Sequence, residues 1–170
     1  VENPYTNLAR EALACHFNGK TLDNNRITNK TLLTKSACFV SLHQKSTHQL
    51  RGCIGTIFPS YPMLAQEIIH NAVAAATSDD RFPPISKGEL GDLDISVDVL
   101  SYPEKVAEKD LDPRSFGVIV KAGDGRTGVL LPNLEGIDKT SDQIAIALQK
   151  AGISQDDRYE IFRFTTKRYI

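Results

Sequence analysis

The stretch at residues 92–100, DLDISVDVL, constrains the fold of this chain more than any other. Leu93, Ile95, Val97 and Val99 alternate with Asp94, Ser96 and Asp98, and a period of two belongs to a strand. One face of that strand is buried and the other is wet or functional, as in an antiparallel sheet. A sheet of this kind needs an amphipathic cover. Residues 63–77 supply one pattern, with Leu64, Ile68, Ala72, Ala75 and Ile69, Val73, Ala76 on a broad apolar face. The opposite face of that helix carries Gln66, Glu67, His70 and Asn71, and the double proline of SDDRFPP at 78–84 stops it.

The remaining elements follow from the same periodicities. Residues 7–17 read as a helix capped by Thr6 and closed by Gly19. Residues 20–35 are polar and read as loop with at most a short helical turn. Residues 37–43 and 50–58 form a hairpin with a longer loop. A second hairpin, 116–121 with 127–131, turns on AGDGR, where glycines supply positive φ. Thr140 or Ser141 caps a helix that Gly152 ends, and 159–165 is a last strand. Helices and strands do not alternate strictly, so the class is α+β with mostly antiparallel sheets and flanking helices. A length of 170 residues suits one domain. We expect two lobes in it, 37–84 and 1–36 with 85–170, with the stretch around residues 50–55 at their junction.

Charge and cysteine usage exclude several function classes. The net charge is −1, which leaves no basic surplus to neutralise a run of phosphates, so no nucleic acid is expected. Three cysteines, Cys15, Cys38 and Cys53, have no paired spacing and fit a reducing cytoplasm. No CxxC, HExxH or His/Cys cluster at zinc spacing occurs, so no metal is expected. No apolar run reaches the roughly 18 residues of a membrane span, and residues 1–4 carry no signal-peptide pattern.

Residues 50–55, LRGCIG, hold the candidate chemistry. Arg51 and Cys53 project from one face of a strand, their Cβ atoms about 7 Å apart at a rise of about 3.3 Å per residue. A guanidinium that close favours a thiolate. Gly52 and Gly55 let a ligand or another chain segment approach the backbone. The same residues also fit packed sheet, because free cysteine is among the most buried residue types and strand glycines often mark tight packing. Opposite Cys53 in the hairpin the registers place Cys38 or Phe39. The possible bases are His16, His43, His48 and His70, and no spacing fixes a triad. Asp94, Ser96 and Asp98 offer two carboxylates on one strand face, which plain alternation explains equally well. AGDGRTG lacks the spacing of a phosphate loop and reads as a turn. In DDRFPP, a rigid loop can deliver Arg81 to a neighbouring site, or Arg81 can pair with Asp79 or Asp80.

LRGCIGTI, NAVAAATSDDRFPP, ISVDVL and GVLLPNLEG, in this order, closely resemble the AMMECR family, whose prokaryotic members are called AmmeMemoRadiSam system protein A. The resemblance runs from Tyr5-Thr6 to the last strand. It implies a two-lobed α+β fold with the signature near the cleft, and partners of the Memo type and the radical S-adenosylmethionine type. It implies no established reaction and names no cofactor. Carried over by position, the signature falls on Leu50, Arg51, Gly52, Cys53, Ile54 and Gly55, and a second stretch on Glu67, Asn71, Asp79, Arg81, Phe82 and Pro83. Two functions follow. In one, Cys53 is a nucleophile, Arg51 and Arg81 steer an anion, and Glu67, His70 or Asn71 supply polar contacts. In the other the chain is a binding or adaptor module, with cysteine and glycines structural and the arginines reading a partner's carboxylate or phosphate.

Overall fold

The computed structural model describes residues 3–170. In chain order the elements are α1 (Pro4–Phe17), β1 (Cys38–Gln44), β2 (Leu50–Gly55), α2 (Leu64–Thr77), β3 (Leu93–Leu100) and β4 (Glu104–Lys105). They continue with β5 (Gly117–Ala122), β6 (Thr127–Leu130), α3 (Thr140–Ala151), β7 (Tyr159–Phe164) and β8 (Thr166–Tyr169). The chain forms two compact units. One runs up to Leu100 and includes Lys167–Ile170; the other is Ser101–Thr166.

The first unit is a four-stranded sheet in the order β2-β1-β3-β8, with β1 antiparallel to both β2 and β3. Strand β1 is therefore central, and it ties the hairpin to β3 in one sheet. This corrects the expected division into 37–84 and the remainder, which would cut the sheet between paired strands. Helix α1 also belongs to this unit. It begins earlier than expected, with Asn3 rather than Thr6 as the cap; the Asn3 side chain accepts the Tyr5 and Thr6 N–H groups, and Pro4 opens the first turn. Two short 3-10 turns, at 24–26 and 30–33, punctuate the following loop.

Helix α2 covers one face of this sheet. Leu64 and Ile68 are fully buried with Val40, Leu42 and Val97, each large side chain contributing about 1.5–3 kcal/mol. Toward its C-terminal end the buried residues shrink to Ala72, Ala75 and Ala76, so the helix backbone can approach the strand. Gly52 makes that approach possible, because a Cβ there would stand 2.1 Å from the Ala75 carbonyl oxygen.

The second unit is a sheet in the order β4-β7-β5-β6, with antiparallel pairing throughout. Val118 and Val120 join Ile144, Ala147 and Leu148 of α3 in its core. Gly125 turns the β5–β6 hairpin at φ 93 and Gly152 ends α3 at φ 66, as the sequence signals require. Strands β4 and β8 are additions to the expected set.

Candidate functional site

The antiparallel pairing places Cys53 directly opposite Ser41, not opposite Cys38 or Phe39. The Cys53 N–H donates to Asp79 Oδ2 at 2.9 Å, so it points away from β1. Cys53 and Ser41 are thus a non-hydrogen-bonded pair, the kind whose side chains approach most closely. Ser41 Oγ lies 3.2 Å from Cys53 Sγ and donates to it. Gly55 and Phe39 pair on the same face, away from α2, and Ser41 is in turn opposite Ser96 on β3. A polar row of Cys53, Ser41 and Ser96 therefore crosses three strands.

Two arginines reach this face, each braced by a buried aspartate. Arg81 Nε and Nη2 donate to Asp79 Oδ1 and Oδ2 at 3.0 and 2.8 Å. Arg168 Nε and Nη2 donate to Asp98 Oδ1 and Oδ2 at 2.8 and 2.9 Å. Both pairs are bidentate, the geometry that fixes a guanidinium plane. The side chains of Asp79 and Asp98 are 6% and 9% exposed, whereas those of Arg81 and Arg168 are 60% and 55% exposed. The carboxylates sit behind and the cations face outward. The Arg81 guanidinium beside it holds the Asp79 carboxyl well below the usual carboxylate range, burial opposes that shift, and the Cys53 N–H adds to it. Arg81 and Arg168 are both raised, chiefly by Asp79 and Asp98, and each also by the charge of the Cys53 sulfur. Both guanidinia therefore lie within electrostatic reach of that sulfur.

The other sequence candidates separate. Arg51 is not beside the thiol as an open cation. Its guanidinium is spent on the loop after α2, with Nη1 donating to the Pro83 carbonyl at 2.6 Å, Nη2 to the Pro84 carbonyl at 3.3 Å, and Nε to Glu89 Oε1 at 3.0 Å. Only 12% of its side chain is exposed. Arg51 clamps the proline loop against the edge of the sheet. The Ser86 N–H and then Arg51 lower the Glu89 carboxyl. The space beside Gly52 is filled by α2 and that beside Gly55 by the Phe39 ring, so the closely approaching group at each is another segment of the chain.

Glu67 and Asn71 lie on the helix side of the sheet, apart from the Cys53 row. Glu67 is fully buried and accepts Thr56 Oγ1 at 3.1 Å, the Tyr61 N–H at 2.7 Å and the Ser60 N–H. It fastens the loop that leaves β2. Asn71 Nδ2 donates to the Cys38 carbonyl at 3.0 Å. His70 is exposed, tilted against Tyr61. Burial pushes the Cys38 thiol up to about 12, so this cysteine is an inert core residue. Among the described residues no cluster of three or more His, Cys, Asp or Glu side chains is placed to hold a metal, and no helix is long and apolar enough to cross a membrane.

Residues 6–169 match the AMMECR1 family model. The chain belongs to the AMMECR1 family. A Thermotoga maritima relative is 46% identical over 99% of this chain and 98% of its own length. A Clostridium acetobutylicum relative is 43% identical over 99% of this chain, which spans only 36% of that protein. An uncharacterized protein from Pyrococcus horikoshii has the same fold, with TM-score 0.81 and 30% identity, covering 96% of this chain and 88% of that one. On this AMMECR1 scaffold, Ser41 and Arg168 are the residues that sequence reasoning missed. The alternation of β3 marks Asp98 as a face carboxylate; nothing in the sequence points to Arg168 as its partner.

Proposed function

We propose that the sheet face around Cys53 is a thiol-dependent site for an anionic electrophile. Cys53 is the nucleophile, Ser41 the donor to its sulfur, and Arg81 and Arg168 hold the negative group of the incoming molecule. The observation that carries this reading is the pair of aspartate-braced, outward-facing guanidinia within electrostatic reach of the partly buried Cys53. An arginine braced from behind loses little side-chain freedom on binding and still presents its Nη1 edge to a carboxylate or phosphate. Arg51 takes no part in binding; it supports the loop that delivers Arg81.

The experiment is alkylation of Cys53 by a negatively charged and a neutral reagent of the same size, iodoacetate and iodoacetamide. In both, the sulfur displaces iodide, which leaves with the bonding pair. Preference for the anionic reagent, relative to a free thiol, supports the reading; its absence removes it.

The proposal includes a reducing, cytoplasmic setting, in which the three cysteines, all free, stay thiols. It also includes a shared pathway with a Memo-type protein and a radical S-adenosylmethionine protein, the partners carried by the family resemblance. Co-purification with those two proteins tests this part separately. An adaptor role would require the same arginines to bind a partner's acidic group while Cys53 stays unreactive, so the alkylation experiment separates the two functions.

A further inference from the structure

A cavity of about 240 Å³ lies in the same unit, lined by His43, His48, Asp94, Ser96, Arg168 and Ile170 among others. It adjoins the Cys53 row through two residues: Ser96, opposite Ser41, and Arg168, braced by Asp98 on the same strand face as Ser96. His43 stands opposite Asp94 on the next strand. His48, in the β1–β2 turn, is held at φ 59, a left-handed conformation that costs a residue bearing a Cβ. The His48 N–H donates to the Gln44 carbonyl at 2.7 Å, which fixes the turn carrying this imidazole at the cavity wall.

Size and charge together limit what fits. Ligand cavities for drug-sized molecules run from about 300 to 1,000 Å³, so this one suits something smaller than a nucleotide. Arg168 is braced by Asp98 and outward-facing, so it can hold one anionic group. Asp94 is exposed and repels a second negative charge while attracting a cation or hydrogen-bond donor. His43 and His48 also line the wall, and both can donate or accept.

We propose that this cavity binds a small molecule with a carboxylate or phosphate at one end and an amine at the other, the anion on Arg168 and the amine on Asp94. The inference rests on the Cys53 reading only in sharing Arg168 and Ser96. It names the class of molecule that would be presented to the sulfur.

The test is a titration followed by the imidazole proton resonances of the four histidines, using acetate, β-alanine and γ-aminobutyrate at constant ionic strength and pH. We expect saturable shifts at His43 and His48 with the two amino acids, and about tenfold weaker binding of acetate, the loss of one charge-assisted contact. Asp94→Asn removes the advantage of the amino acids, and Arg168→Gln removes all saturable shifts. The double variant Asp98→Asn with Arg168→Gln repeats the second arm without leaving a buried carboxylate unpaired. Equal shifts with acetate and the amino acids, strictly linear shifts, or shifts that persist without Arg168 overturn the proposal. Haloacetate preference is read on the same samples. Saturable shifts without that preference keep the cavity and remove the nucleophile, and the reverse pattern removes only the cavity.

Discussion

Asp79 holds Cys53 by its backbone. Its Oδ2 accepts the Cys53 N–H at 2.9 Å and, from the same atom, the Arg81 Nη2 donor at 2.8 Å. One carboxylate thus caps the Cys53 N–H at the outer edge of β2 and braces the Arg81 guanidinium. Edge strands need such a cover, because an unpaired N–H invites another chain. Here the cover and the site are the same group.

The Asp79 carboxyl titrates below its ordinary range in the fold, so its contribution to stability is present above the unfolded value of about 4 and is lost as pH falls below it. We expect Asp79→Asn to cost on the order of 1–2 kcal/mol at neutral pH, a partly solvent-screened loss. Urea unfolding between pH 5 and pH 2 should show a shallower acid decline in the variant than in the wild type.

Arg51→Ala should destabilise by about 1–2 kcal/mol, since it removes hydrogen bonds to two exposed proline carbonyls and to the partly exposed Glu89 carboxylate, acceptors that water can then reach. Arg51→Lys should recover only part, because an ammonium cannot span these acceptors. Urea midpoints measure both. Unchanged stability in Arg51→Ala would contradict the clamp.

Gly52→Ala places a Cβ against the Ala75 carbonyl oxygen, which belongs to helix backbone and cannot swing away. We expect a loss of about 1–3 kcal/mol or more. Gly91→Ala, where nothing stands within 4 Å, is the matched control and should leave the thermal midpoint near that of the wild type.

The Cys38 thiol, raised to about 12 in the fold, ionises first in the unfolded chain. Its contribution is intact below pH about 8.5 and is lost as pH rises toward the folded value, at up to about 1.4 kcal/mol per pH unit. The alkaline decline in urea stability should flatten in Cys38→Ala. Native-state labelling at neutral pH should leave Cys38 unmodified.

Where periodicity carries the signal, the sequence was readable. The apolar stripe of α2 and the alternation of β3 give both elements to within a residue at each end, and the glycines of the second hairpin and of α3 mark real turns. Register was not readable. The β1–β2 pairing shifts by one residue between Leu42 and His43, which sets Ser41 rather than Val40 opposite Cys53, and no local pattern announces such a shift. The run after Tyr159 reads as one strand, yet β7 and β8 belong to different sheets. Arg168 meets Asp98 across 70 positions, a pairing no local pattern encodes. LRGCIG drew attention to Arg51 beside Cys53, yet the fold turns Arg51 to Pro83, Pro84 and Glu89. Spacing shows which side chains share a strand face; it does not show that proline carbonyls from a later loop will claim one of them.

The central claim is that two braced guanidinia serve an accessible sulfur, and the ratio of iodoacetate to iodoacetamide rate constants at Cys53 measures it most directly, with glutathione as the free-thiol reference and peptide mapping to locate the label. We expect a ratio several-fold above that of glutathione, reduced by Arg81→Gln and by Arg168→Gln. A sulfur inert to both reagents, or a ratio equal to that of glutathione and insensitive to either arginine, would contradict it.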